Sequence, residues 1–140
     1  MHARKPLPPV DSKGVARVLS EHPFQETVDR LEAIVARRGA KVFARVDFSA
    51  DARASGLRLR PTFLLVFGSP KAGTPILQAR PTAALDLPLK IAVWEDDRGK
   101  VWLLYNEPSY LELRHALPPE LDRVLDGVGQ IALEAASRSH

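Results

Sequence analysis

One histidine and a few carboxylates are the side chains of this sequence best suited to chemistry. His115 can transfer protons near neutral pH, because an imidazole titrates in that range. With Asp86 or Glu95 close by, His115 could act as a general acid or base, so His115 and Asp86 are the best catalytic candidates. The alternative for His115, which we favour, is a hydrogen bond at the end of a short helix. Asp86 fits a catalytic role and a loop-stabilising role equally well.

The segment FGSPKAGTPILQ has the separated glycines and the lysine of an anion-binding loop. A P-loop, however, places a lysine and then a serine or threonine directly after its second glycine. Here Lys71 lies between Gly68 and Gly73, and only Thr74 follows. Thr74 and Pro75 are typical of a helix start, with Thr74 as the cap. We predict that the segment turns a strand into a helix, and an anion held beside Lys71 stays open as the alternative.

Polar residues around these segments form the predicted ligand site. Lys90 can pair with Asp86 or Glu95, or it can bind an anion together with the glycine-containing loop, and the ion pair is favoured. The predicted ligand-binding residues are Lys71, Gly73, Thr74, Asp86, Lys90, Asn106 and His115.

These residues support three functional hypotheses. The first, which we favour, is a non-catalytic module that binds a small ligand or anion and works as a homodimer. The second is a small enzyme that uses His115 with a carboxylate as general acid and base. The third is a structural or partner-binding domain. Whether the chain is an enzyme is left open.

This sequence lacks the residues that several kinds of chemistry require. There are no cysteines, which excludes disulfides, thiolate metal sites and cysteine nucleophiles. No G-x-S-x-G or G-x-G-x-x-G pattern occurs, so a nucleophile elbow and a dinucleotide fingerprint are absent. The histidines His2, His22, His115 and His140 are far apart and show no ligand spacing. We therefore predict no metal site and no cofactor.

Length and composition indicate one domain. The 140 residues are 45% hydrophobic, which suffices for one core but not for two ordinary domains. We predict a flexible tail over residues 1–13, a single domain over 14–136 and a C-terminal tail over 137–140. No apolar run approaches the roughly 20 residues that cross a bilayer, and no hydrophobic segment follows the basic N-terminus. We expect no membrane span, no signal peptide and a cytoplasmic location.

The positive charge of the chain is small and dispersed. The net charge is +3, and the basic residues are spread along the sequence. Nucleic-acid binders usually concentrate positive charge on one stripe and interleave aromatic residues, a pattern that is missing here. Nucleic acid is therefore not the partner we expect.

Hydrophobic periodicity predicts an α+β fold with the order β-α-β-β-β-β-α. A first strand over Gly14 to Ser20 precedes a helix that Pro23 opens and Gly39 ends. The strand KVFARVDFS alternates, with one face made of Val42, Ala44, Val46 and Phe48. The strand TFLLVF is apolar on both faces and is predicted to be central. Short helices are predicted in the connectors, and a last long helix follows the paired prolines of LPPE.

The segments LKIAVWEDD and KVWLLYN predict a hairpin. Its loop is Asp97-Arg98-Gly99, with Gly99 in the left-handed position of a bulge. This loop length places Trp94 opposite Trp102. The same face then carries Lys90, Ala92, Leu104 and Asn106. The other face is a continuous apolar layer that a helix can cover, made of Leu89, Ile91, Val93, Val101, Leu103 and Tyr105.

These elements predict a mainly antiparallel sheet with two long helices packed on one face. The opposite face is then wet or covered by a partner. A pair of exposed tryptophans favours a partner, because aromatic residues are enriched in protein interfaces. We predict a face-to-face homodimer with Trp94, Trp102 and Leu104 in the interface.

The region from RLRPTFLLVFGSPKAGTP to YNEPSYLELRH resembles the family called domain of unknown function 302. The resemblance rests on the GSPKAGTP loop, the ALDLPLK segment, the WED hairpin and the YN and RH pairs, and it runs from about Gly14 to Ala135. It implies a helix-over-sheet protein of the TATA-binding-protein-like fold that forms dimers and has no settled activity. Ser69 and Glu107 depart from the asparagine and aspartate that are commoner in the family.

Overall fold

The computed structural model describes residue 11 and residues 13–138, apart from the side chain of residue 122. The strands are β1 (Val15–Leu19), β2 (Lys41–Asp47), β3 (Thr62–Gly68), β4 (Leu89–Glu95) and β5 (Val101–Asn106). The α-helices are α1 (Phe24–Arg37), α2 (Phe48–Ala54), α3 (Pro70–Ala79), α4 (Pro108–His115) and α5 (Gly127–Ala136). A first 3₁₀ helix (Pro81–Leu85) follows α3, and a second (Pro119–Leu125) precedes α5. The predicted order of strands and long helices is confirmed, and most of the predicted N-terminal tail lies outside the described residues.

The strands form one sheet in the order β1-β5-β4-β3-β2. Every neighbouring pair is antiparallel. Strands β2 to β5 pair with their neighbours in sequence. Only β4 and β5 are joined by a short loop, whereas helices lie in the connections from β2 to β3 and from β3 to β4. The chain leaves β1 at one edge, and α1 carries it across the sheet to β2 at the other edge. The predicted antiparallel sheet is confirmed.

Helices α1 and α5 cover one face of this sheet. The buried residues of α1 recur at helical spacing, so the helix turns one apolar stripe toward the strands. The core between the two layers includes Val28, Leu31 and Val35 from α1, Val128, Ile131 and Ala132 from α5, and Leu65, Ile91, Val93 and Leu103 from the strands. The predicted packing of two long helices on one face is confirmed.

The hairpin between β4 and β5 has the predicted loop. The Asp96 N–H donates to the Lys100 carbonyl oxygen at 2.8 Å, and Gly99 adopts a left-handed φ of 77°. Trp94 therefore pairs directly with Trp102. The Asp96 carboxylate accepts from the Trp102 Nε1–H at 2.9 Å. This bond, with backbone donors of the loop, holds the pKa of Asp96 below its ordinary value.

The alternation predicted for β2 is wrong in two places. The register shifts between Val42 and Ala44, so Val42 lies opposite the core residue Phe67 while Ala44 lies on the other face. The strand then ends at Asp47, because its Oδ1 accepts from the Ala50 N–H at 2.9 Å and caps α2. Phe48 accordingly begins a helix and does not extend the strand.

The chain just after α5 is bonded to the start of the fold. The Ser137 carbonyl oxygen accepts from Arg30 Nη2 at 2.7 Å, and His22 Nε2 lies 2.8 Å from the same oxygen. The Arg138 N–H donates to Glu21 at 2.8 Å. Thus the described part of the predicted C-terminal tail lies against the region of α1.

Gly14 fixes α4 against the start of β1. Its φ is 80°, and its carbonyl oxygen accepts from the Glu107 N–H at 2.8 Å. A Cβ placed on Gly14 would lie 2.6 Å from the Cβ of Tyr110, which is closer than real side chains approach. The missing side chain thus allows the close approach that positions α4 and the residues at its end.

Replacing Gly14 by alanine therefore tests this contact, with Gly99→Ala as the matched control. Both glycines have a left-handed φ near 80°, but a Cβ on Gly99 meets nothing within 4 Å. Both variants carry the conformational cost of about 1–2 kcal/mol. The free energy of unfolding in urea should fall by about 1–3 kcal/mol more in Gly14→Ala than in Gly99→Ala, because the new Cβ overlaps with Tyr110. Equal losses in the two variants would contradict the close packing of α4.

Candidate functional site

The turn from β3 into α3 is made by Ser69. Its Oγ accepts from the Ala72 N–H at 3.2 Å, and a proline follows it at the first helical position. Thr74 lies inside the helix, where its hydroxyl donates to the Pro70 carbonyl oxygen at 2.6 Å. The predicted cap at Thr74 is wrong, because the serine-proline pair starts the helix one turn earlier. The segment does turn a strand into a helix, as predicted.

His115 and Asp86 lie in direct contact. His115 is the last residue of α4, Asp86 follows the first 3₁₀ helix, and His115 Nε2 lies 2.5 Å from Asp86 Oδ2. The other ring nitrogen, Nδ1, lies 2.9 Å from the hydroxyl of Thr82. Since an ionised carboxylate only accepts hydrogen bonds, we assign the imidazole proton to Nε2 and the accepting role to Nδ1. Thr82 then donates to the ring, and only 3% of the His115 side chain is exposed.

Two cations surround Asp86 in different ways. Arg114 Nη1 approaches both carboxylate oxygens of Asp86, at 3.3 and 3.1 Å. Lys90 Nζ instead donates to the backbone oxygens of Asp86 and Pro88, at 3.1 and 3.0 Å. Burial lowers the pKa of Lys90 below its ordinary value, and the negative charge of Asp86 opposes this shift. The four side chains Asp86, Arg114, His115 and Thr82, here called the Asp86 cluster, therefore join α4 to the start of β4.

The predicted ligand residues divide among three places. The structure brings Asp86 and His115 together in the Asp86 cluster, with Lys90 bonded to its backbone. Gly73 and Thr74 line an apolar cavity, whereas Lys71 is exposed on α3 outside that lining. Asn106 lies with Lys90 at a hollow on the open face of the sheet.

Glu95 is not close to His115. It ends β4, whereas Asp86 lies just before the start of that strand. A strand rises about 3.3 Å per residue, which puts roughly 20 Å between the two ends. Of the two carboxylates considered for His115, the structure therefore selects Asp86.

The apolar cavity has a volume of about 410 Å³. Several lining residues are glycine or alanine, including Gly68, Ala72, Gly73 and Ala84, so that short side chains leave the space open. The larger lining residues include Phe43, Phe67, Leu77, Leu87, Leu89, Val124 and Ile131. The described residues of the lining include no charged side chain, and the Ser69 and Thr74 hydroxyls already bond within α3. The chemistry of the cavity is thus that of a hydrophobic binding site.

The open face of the sheet carries a smaller hollow of about 190 Å³. It is lined by Val15, Leu64, Lys90, Ala92, Leu104, Tyr105 and Asn106. The Tyr105 side chain belongs to the helix-covered side of the sheet, where its buried hydroxyl has no hydrogen-bond partner within the part of the chain that the structure describes. Burial, with a contribution from the charge of Glu107, raises the pKa of Tyr105 to about 12, so this phenol stays neutral at physiological pH.

The sequence analysis missed Thr82 and the apolar cavity. Thr82 reaches His115 across 33 residues, a contact that depends on α4 folding back onto the first 3₁₀ helix. The small residues of the cavity lie in separate elements, and only GSPKAGTP clustered them in sequence. That cluster was a usable signal, although we interpreted it as turn and anion chemistry.

Neither a metal cluster nor a membrane helix is found among the described residues. No group of three His, Asp or Glu side chains lies close enough there to hold a metal ion. None of the helices in that part of the chain has both the length and the apolar character to cross a membrane.

Comparison with known proteins gives one family and one fold. The sequence profile of the family "Domain of unknown function DUF302" matches residues 16–135. A crystal structure of an uncharacterized conserved DUF302 protein from Bacillus stearothermophilus superposes with a TM-score of 0.73 at 18% sequence identity. The superposition covers 89% of this chain and 97% of that one. At this identity the likeness establishes a shared fold.

Curated relatives come from Brucella. A protein of Brucella suis biovar 1 (strain 1330) named fluoride-specific ion channel FluC 1 is 39% identical over 140 residues, which is 97% of this chain and 55% of that protein. A protein of the same name from Brucella abortus biovar 1 (strain 9-941) is also 39% identical, with 97% and 52% covered. This chain therefore spans about half the length of the curated relatives it matches.

The Asp86 cluster should contribute to stability, and Asp86→Ala tests this. The change leaves His115 Nε2 without its buried partner, which costs about 1–3 kcal/mol in urea unfolding. Asp97→Ala, at the exposed hairpin tip, should change stability by less than about 0.5 kcal/mol. In a double-mutant cycle, Asp86→Ala and His115→Ala should be clearly non-additive. Additive effects would show that the two side chains do not depend on each other.

Proposed function

The chain belongs to the DUF302 family, a domain of unknown function, and from its cavity we propose that it is a homodimeric binding module for a small, largely apolar molecule. The observation that carries the proposal is the cavity of about 410 Å³ between α3, the start of β4 and α5. Small-molecule sites are typically concave, mostly apolar and about 300–1,000 Å³ in volume. The cavity falls within this range.

The chemistry of the lining supports an apolar ligand over an anion. An anion would lose its water without gaining a cation, since the lining has no lysine or arginine from the part of the chain that the structure describes. An apolar group gains roughly 25 cal/mol for each Å² that it removes from water. The anion hypothesis for this loop depended on Lys71, which is exposed on α3 outside the lining. We therefore assign the cavity to a neutral, hydrophobic ligand.

The open face of the sheet supports the homodimer. Helices α1 and α5 cover the opposite face, so neither of these two helices covers the Trp94 and Trp102 pair. Around the pair the open face presents Ala44, Val46, Leu64, Val66, Ala92 and Leu104. A two-fold axis can bring this one apolar surface onto its own copy, which is the usual geometry of soluble dimers. Trp94, Trp102 and Leu104 are central contacts in the proposed interface.

The geometry of the Asp86 cluster favours binding over catalysis. Both ring nitrogens of His115 are taken by protein partners, Thr82 and Asp86. The ring is also buried, so a substrate proton would have to pass through Thr82 or Asp86 to reach it. General acid–base catalysis requires the base within hydrogen-bond reach of the proton that moves. The cluster is therefore assigned to holding α4 in place.

A neutral hydrophobic dye, N-phenyl-1-naphthylamine, tests the cavity. The dye should bind the protein saturably with increased fluorescence and should raise the melting temperature, because it prefers the folded state. Gly73→Leu should weaken this binding by roughly tenfold or more, which corresponds to about 1.4 kcal/mol. A Cβ at Gly73 meets nothing within 4 Å, so the added side chain has room to enter the cavity.

Gly127→Leu is the matched control for the dye experiment. Gly127 also has open space around it and lies in α5 outside the lining. The Gly127→Leu variant should bind the dye as tightly as the parent protein does. If Gly73→Leu also binds the dye as tightly as the parent, the cavity is not the binding site.

Sodium fluoride, with sodium chloride as its control, is included because the Brucella relatives are named for fluoride. If fluoride raises the melting temperature and chloride does not, the ligand is an anion and the proposal of an apolar ligand is wrong.

Sedimentation equilibrium tests the dimer. We expect a mass of twice the 15.4 kDa of one chain. Trp94→Glu should return the mass to that of one chain, because a buried carboxylate without a partner is costly in an apolar interface. Leu113→Glu is the control, since Leu113 is 83% exposed on α4 and away from the open face. A parent protein that sediments as one chain would overturn the dimer and leave the cavity proposal untouched.

A further inference from the structure

Side chains on the open face of the sheet lie in regular rows, and at one position the side chain is too short to fill the space. Across the middle of the sheet, Leu64, Ala92 and Leu104 lie side by side on β3, β4 and β5. Trp94 and Trp102 form the next row on one side of them. Ala92 is the one short residue among large neighbours in the centre of these rows. The hollow of about 190 Å³ therefore lies above Ala92 and between the two leucines.

Two polar side chains close the end of the hollow opposite the tryptophans. Lys90 lies two residues before Ala92 in β4, so its side chain points to the same face of the sheet. Ile91 pairs with Tyr105, so Asn106 continues the register opposite Lys90. Side chains in such cross-strand positions are about 5 Å apart at Cβ. Both Lys90 and Asn106 line the hollow.

These two side chains have hydrogen-bond donors left over. A lysine ammonium has three N–H donors, and Lys90 uses two of them on the backbone oxygens of Asp86 and Pro88. Those two bonds hold Nζ in place at the edge of the hollow. Within residues 13–138, no hydrogen bond is made by the side-chain amide of Asn106. One ammonium donor and the two donors of the Asn106 amide are therefore available next to an apolar hollow.

We propose that the hollow above Ala92 binds a small carboxylate with a short apolar body, held at its oxygens by Lys90 and Asn106. The carboxylate accepts one hydrogen bond at each oxygen, and the bond from the ammonium is charge-assisted. The apolar body lies between Leu64 and Leu104. A ligand of higher charge is disfavoured, because Lys90 is the only cation among the described residues that line the hollow. The partial burial that lowers the pKa of Lys90 also strengthens its attraction for an anion that displaces water.

This site is separate from the apolar cavity, and it does not depend on the dimer. The cavity lies at the end of the sheet beside α3, and the two linings have no residue in common. The hollow does lie on the face that the proposed dimer would cover. Binding is therefore measured both in the parent protein and in Trp94→Glu, in which a partner no longer covers the face.

Sodium benzoate is the probe, and tryptophan fluorescence is the measurement. The chain has two tryptophans, both on the open face, and Trp102 remains as the reporter in Trp94→Glu. We expect benzoate to change the emission saturably, while neutral benzyl alcohol binds at least about tenfold more weakly, since it lacks the charge-assisted bond. Sodium chloride at equal ionic strength controls for screening.

Three variants with a matched control identify the site. Lys90→Met keeps the aliphatic stem and removes the charge, and Asn106→Asp puts a carboxylate opposite the ligand's own. Ala92→Leu fills the hollow and changes no polar group. Each should weaken benzoate binding by about tenfold or more, whereas Lys71→Met, which removes an exposed lysine on α3, should not. Melting temperatures confirm that each variant is folded, and Ala92→Leu serves as the test should Lys90→Met unfold.

The outcomes decide between this site and the proposals above. The carboxylate site is supported if benzoate binds and all three site variants weaken that binding. This holds whether binding is measured in the parent protein or only in Trp94→Glu. Binding by a protein that sediments as one chain supports the site and contradicts the dimer. The site is overturned by an absence of saturable binding in both proteins. It is also overturned by equal binding of benzoate and benzyl alcohol, or by full binding in folded Lys90→Met and Ala92→Leu.

Discussion

A single antiparallel sheet that is covered by helices on one side determines most of this structure. Each strand must place its apolar residues under α1 and α5, since that burial supplies the main stabilisation of the fold. The alternate residues then face outward, and in β3, β4 and β5 many of these are apolar too. A face of this kind is unusual for a sheet that meets only water. It is the physical basis for both the proposed dimer and the proposed carboxylate site.

The charged residues around Asp86 hold connecting segments of this protein in place. The Asp86 carboxylate accepts from Arg114 and contacts His115, while the backbone around it accepts from Lys90. These contacts fix α4 and the start of β4, which border the two proposed binding regions. Among the described residues, the Asn106 side-chain amide makes no hydrogen bond, and it lies at the open face. Lys90 combines both roles, because two of its donors bind the backbone and one remains at the hollow.

Short side chains create the two spaces proposed as ligand sites. Gly73 and Ala84 leave the cavity open between separate elements, and Ala92 leaves the hollow open within one sheet. The surroundings differ in one respect that determines ligand chemistry. Among the described residues no charged side chain lines the cavity, whereas the hollow has an ammonium at its end. The two proposed sites therefore differ in the ligand they suit, one neutral and one anionic, because burying a charge requires a partner for it.

Local patterns in the sequence determined the elements, and the tertiary structure decided which side chains meet. The Asp97-Arg98-Gly99 loop, the tryptophan pair and the covered sheet face all follow from periodicity and turn chemistry, which act over a few residues. The bulge in β2 and the serine cap of α3 were missed, because competing local signals of similar strength were present. The contact of Thr82 with His115, and the cavity, join residues that are distant in the chain. Such contacts depend on how helices and strands pack in three dimensions, and no spacing in a single sequence encodes that distance.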